Sequence, residues 1–163
     1  MPYRVRCGRA TLLALIAPIA LAHPAVAQVA DNDLAALSAY TLTMPKYKQY
    51  LAATQNLAAA AAANPEATME DTGSSIDDMV AKINAIPPAR SAITSSGLTV
   101  RDFVLTQGAL LQTGMAYGMM KEFKISKDSV VKTAKVNPAN LDFYANNEAE
   151  LKRLAEEAGA TGE

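Results

Sequence analysis

Between Phe103 and Met120 the chain carries no charged residue, and that stretch constrains the fold more than any other part of the sequence. A run of this kind leaves water either in a bilayer or in the middle of a packed protein. Its length is marginal for a membrane span, which needs about 20 apolar residues, and Thr106, Gln107, Gln112 and Thr113 dilute it further. At its head, Thr99-Val100-Arg101-Asp102 has the arrangement of an N-terminal capping box, with aspartate in place of the usual glutamate. The segment is therefore expected to be a central helix covered on most sides by its neighbours.

Helical spacing recurs on either side of it. Asp33, Leu34, Leu37 and Leu42 suggest a short opening helix or an extended lead-in. Tyr47, Tyr50, Leu51, Thr54, Leu57 and Ala61 share one face of a helix that Thr43 could cap and Pro45 would suit in its first turn. The alanine run Ala58 to Ala63 continues that helix until Asn64-Pro65 stops it. After a polar, acidic connection from Glu66 to Gly73, a cap at Ser74 or Ser75 opens the stripe Ile76, Met79, Val80, Ile83 and Ile86, which Pro87-Pro88 ends. A short helical turn around Ala89 to Ser95 leads to a stop at Gly97.

Beyond the central helix, Lys121 to Val136 is lysine-rich and carries β-branched Val130, Val131 and Thr133, so it reads as an exposed, irregular connection. The last element has Asn137 as its cap, Pro138 at its first position and Gly159 just past its end. No stretch alternates as a half-buried strand does. The expected class is all-α, a helical bundle of four main helices with short connecting helices.

The first residues have the parts of a secretory signal: Arg4, Arg6 and Arg9, an apolar run from Ala10 to Ala22, and Ala25-Val26-Ala27 as a small-residue cleavage site. Residues 1–27 are expected to be removed, leaving residues 28–163 as one helical domain in the periplasm or outside the cell. Cys7 is the only cysteine and His23 the only histidine, so the mature chain would hold neither. Ser-His-Asp and Cys-His catalysis, cysteine or histidine zinc sites and covalent c-type haem are excluded for such a chain, and no cofactor is implied. The three arginines leave with the signal, so 12 basic residues stand against 16 acidic ones, a formal charge of −4 that argues against nucleic-acid binding.

Three groups of residues could still carry function. Glu70, Asp71, Asp77 and Asp78 could act as paired acids on a cell-wall sugar or hold a hard cation, although acids at a helix start also complement its dipole. Met115 and Met119 lie four apart and could carry copper(I), although methionine more often fills a core. Gly108, Gly114 and Gly118 each cost a helix about 0.8–1 kcal/mol relative to alanine, so something must offset them. Close packing of another helix is the first explanation, with self-association of the chain as one form of it. A small apolar ligand against the bared backbone, touched by Gln107, Gln112 and Tyr117, is the sharper one. The lysines at 121, 124, 127, 132 and 135 could address a phosphate-rich membrane surface or another anionic partner, but a solvated loop explains them as well, because no aromatic residues are interleaved among them as a nucleic-acid platform would require.

Tyr40-Thr41-Leu42-Thr43, Gly97 to Phe103 and Asn137-Pro138-Ala139-Asn140-Leu141-Asp142-Phe143, in that order, resemble segments of small exported, alanine-rich helical proteins of Gram-negative bacteria, an uncharacterised group. The resemblance implies a periplasmic or secreted home and brings no activity with it. The expectation is a non-enzymatic protein that binds a partner or a small apolar ligand. The alternatives are a carboxylate-only enzyme and a methionine-based copper(I) carrier.

Overall fold

The computed structural model describes residues 31–63 and 75–159. The expected signal segment 1–27, the stop at Asn64-Pro65, Ser74, and the acids Glu70 and Asp71 all lie outside the described residues. Within them the chain is all-helical, with seven helices and no strand: α1 (Asp31–Ala39), α2 (Met44–Ala63), α3 (Ile76–Asn84), α4 (Pro87–Thr94), α5 (Val100–Phe123), α6 (Lys127–Ala134) and α7 (Pro138–Glu157). None of these is long and apolar enough to cross a membrane.

Local chemistry sets most of the boundaries. The hydroxyls of Ser75, Thr99 and Ser126 accept the N–H groups of Asp78, Asp102 and Ser129, at 3.1, 3.0 and 3.3 Å, satisfying donors that the first turns of α3, α5 and α6 leave free. In the capping box of α5 the short aspartate accepts a hydrogen bond from the Thr99 hydroxyl at 2.6 Å. Asn137 caps α7 by accepting from the N–H of Ala139, with Pro138 in the first turn. Pro87-Pro88 opens α4 as its first residues, while α3 already ends at Asn84. Proline fits there because a first turn has no use for its missing N–H. At Gly97 the backbone has φ +88°, a conformation that favours glycine at the turn into α5.

The architecture is built around α5. α5 packs against each of the other helices, and α4 also packs on both α2 and α3. Three helices are long, at 20, 24 and 20 residues, and the other four have eight or nine. The first half of α5 buries Val100, Phe103, Val104, Leu105 and Ala109 against α1 to α4, with Ile93 fully enclosed. Burial of a side chain of that size is worth about 1.5–3 kcal/mol. A second cluster joins Ala116 to Val130, Val136 and Leu141, and a third joins Tyr47 and Leu51 of α2 to Leu151 of α7.

Two sequence expectations need correction. Residues 121–136 are not an irregular exposed connection: α5 runs on to Phe123, Lys124 turns it at φ +51°, and α6 follows. Burial of Val130 and Val136 under α5 outweighs the weak helix preference of the β-branched residues. Nor is α5 covered on most sides along its whole length. Its second half is covered only by α6 and α7, and one face of it lies bare.

Candidate functional site

That bare face is the most unusual surface of the molecule. Leu111, Met115, Met119 and Phe123 follow one another at four-residue steps and are 65, 64, 41 and 68% exposed. On a straight helix such steps stay on neighbouring positions of one side. Gln107, Gly118 and Glu122 are exposed among them. The stripe has clear borders. On one side α7 reaches α5 through the Tyr117 hydroxyl, which donates to Glu148 at 3.0 Å, and through Lys121, whose ammonium reaches both oxygens of the same carboxylate at 3.0 and 3.1 Å. On the other, the Gln112 amide donates at 3.0 Å to the carbonyl of Ala134, where α6 ends.

The charged border has mutually shifted acidities. The Lys121 ammonium and the Tyr117 hydroxyl hold the Glu148 carboxyl below its usual range, while the bond to Glu148 pushes both Tyr117 and Lys121 up. Tyr117 also lies against Tyr144, with ring centres 5.2 Å apart. Beside Leu111, a groove of about 550 Å³ runs between α2, α5 and α7, with Tyr47, Tyr50, Leu110 and Tyr144 on its walls and Gln107, Glu148 and Lys152 at its rim. Burial raises the pKa of Tyr47 and of Tyr50 above the usual phenol value, so both stay neutral at ordinary pH.

The six residues expected around a ligand do not converge on one cavity. Gln107 lines the groove. Gly108 faces α1, where a Cβ would come within 2.8 Å of a Leu37 methyl, so packing explains that glycine. Gln112 and Tyr117 are held by the helix-end and carboxylate bonds just described. Gly114 has the Tyr144 ring at ordinary contact distance, 3.7–3.9 Å, and Gly118 has no atom within 4 Å of where a Cβ would stand. Helix packing within the chain therefore accounts for one glycine of the three.

The other candidates separate as well. Met115 and Met119 lie on the exposed stripe, one turn apart, and no group of three His, Cys, Asp or Glu side chains able to hold a metal occurs among the described residues. Asp77 pairs with Arg101 of α5, and Asp77 and Asp78 both sit in the first turn of α3, where negative charge complements the helix dipole.

Sequence reasoning passed over Leu111 and Phe123. α5 is apolar on every side, so its periodicity does not say which face its neighbours leave open. Conversely, the three segments quoted above as a resemblance meet in space. The Tyr40 hydroxyl bonds Thr106 at 2.8 Å and the carbonyl of Asp102 at 3.3 Å, while the side chains of Asn137 and Asn140 bond the backbone of Tyr40 and Leu42. They form a structural joint away from the stripe. No family model, no curated protein and no solved structure matches the chain, so the reading of the site rests on its own geometry.

Proposed function

We propose that the protein is an exported, non-catalytic docking protein that binds a protein helix on the exposed face of α5. The observation that supports this is the stripe Leu111, Met115, Met119 and Phe123, large apolar side chains left in water on a helix that is otherwise the centre of the core. Such a face takes an amphipathic helix by inserting side chains at three- and four-residue spacing. Export is supported by the arginine-led apolar segment and small-residue site before Gln28. The sequencing of a secreted or periplasmic chain that begins at Gln28 tests it.

A photoreactive phenylalanine derivative in place of Met115, and separately in place of the exposed Asn146 on α7, tests the docking face in living cells. One discrete adduct from position 115 and none from position 146 is the expected result. The absence of any adduct from 115, in cells that hold the protein in quantity, overturns the reading.

The tyrosine-walled groove beside Leu111 favours one second reading, a small apolar ligand with a polar end near Gln107. Native mass spectrometry of the gently purified protein decides between them. A bound mass of a few hundred daltons or less, lost on Leu110→Gln, would favour the groove.

A further inference from the structure

We infer that the occupant of the exposed α5 face is the same face of a second copy of this chain, with the two helices antiparallel. The inference rests on the docking reading above and names its partner. It follows from the order of side chains along the stripe. Leu111, Met115, Gly118 and Glu122 are spaced four, three and four apart, the seam spacing of two helices packed side by side, and Gln107 extends the seam by one turn.

An antiparallel pair whose twofold axis passes between residues 114 and 115 sets Leu111 of each copy opposite Gly118 of the other. The first protrudes into water, and the second has empty space where a Cβ would be, so a knob meets a hollow twice by symmetry. The exposed Met115 side chains of the two copies then lie side by side at the axis.

The charges agree with this arrangement and with no parallel one. No charged residue lies between Phe103 and Met120, so the twofold axis brings no like charges together. The one charge on the seam, Glu122, falls opposite Gln107 of the second copy, whose amide can donate to it. A parallel pair would instead place Glu122 beside its own copy and leave glycine facing glycine. An anionic lipid surface would meet that same carboxylate. From Leu111 to Phe123 the stripe is about 18 Å long, shorter than a standard interface provides, so the dimer forms with rising concentration and is not permanent.

Disulfide trapping in the full chain with Cys7→Ser tests the register, since no other cysteine is present. Met115→Cys should bridge to itself across the axis under mild oxidation. Leu111→Cys alone should not, because its two copies lie roughly 10 Å apart along the axis, whereas Leu111→Cys combined with Gly118→Cys should. Bridging by Leu111→Cys alone, or by none of these, overturns the antiparallel pair. In sedimentation, the unaltered chain should dimerise reversibly and Gly118→Leu should weaken that by roughly tenfold or more, with an unchanged circular dichroism spectrum because the site has room. A chain that stays monomeric at every concentration overturns the inference. If the photoreactive group at position 115 then captures a different protein, the docking reading survives without it. If it captures nothing, both fall.

Discussion

Asn140 of α7 grips the chain at Tyr40 as a neighbouring strand would: its amide donates to the Tyr40 carbonyl at 2.9 Å while its oxygen accepts the Leu42 N–H at 2.8 Å. The side chain is almost fully buried, and the segment it holds is the extended link between α1 and α2. A link of that kind has backbone groups with no helical partner, and enclosing them without a bond would cost about 1–3 kcal/mol each. Asn140 is therefore a buried polar residue with a structural task.

Asn140→Ala should destabilise the protein by about 2–3 kcal/mol, because it orphans the Leu42 N–H and opens a cavity. The Tyr40 carbonyl keeps its second donor, Asn137, at 3.0 Å, so Asn137→Ala should cost less, about 1 kcal/mol, from the lost helix cap. Urea denaturation of the two variants gives the comparison. Equal losses would mean that Asn137 holds the link as firmly as Asn140 does.

The helix ends were legible in the sequence because capping is local: Thr99, Asn137 and Ser75 sit within three residues of the N–H groups they satisfy. The grip of Asn140 on a segment 100 residues earlier was not, since asparagine at that position in a helix looks ordinary until α7 is laid against the link. The α6 region was misread for the related reason that Val130 in the helix and Val136 in the link after it are placed by what they bury, which local preference does not report. The docking stripe was illegible for the opposite cause. A helix apolar all round shows no face, and only the placement of α6 and α7 reveals the bare one.

The three glycines of α5 should respond differently to alanine. At Gly118 the new methyl meets nothing and at Gly114 it meets Tyr144 at ordinary contact distance, so each replacement should stabilise the isolated chain by about 0.8–1 kcal/mol through helix propensity. At Gly108 the methyl would lie 2.8 Å from Leu37, whose displacement from the core consumes that gain, so Gly108→Ala should be neutral or destabilising. Thermal melts at low protein concentration, where self-association does not contribute, should order the variants with 118 and 114 above the unaltered chain. A stabilised Gly108→Ala would show that Leu37 moves aside freely.

Thr113 offers a stabilising change in the interior. It is fully buried in α5, and its hydroxyl is the one buried side-chain polar atom among the described residues without a hydrogen-bond partner. Thr113→Val keeps the shape and removes a group that was dehydrated for no return, so it should raise stability by about 1 kcal/mol. A loss of that size in denaturant titration would instead mean that the hydroxyl has a partner in solution.

The Tyr117, Lys121 and Glu148 cluster makes the contact between α5 and α7 sensitive to pH at both ends of the scale. Glu148 has its pKa lowered, first by Lys121 and then by Tyr117, so its contribution is present above the unfolded carboxyl value of about 4.3 and is lost as pH falls through the lower folded one. Tyr117 and Lys121 are both raised by Glu148, so theirs is present below roughly 10 and is lost as pH rises through the higher folded values. Lys121 and Glu148 are exposed and Tyr117 is only partly buried, so the effect should be small and should shrink in salt. Glu148→Gln removes the charge on which both shifts depend. Its stability should fall slightly below that of the unaltered chain near neutrality and converge with it at each extreme. A constant gap between the two curves from acid to alkali would show that Glu148 acts through packing alone.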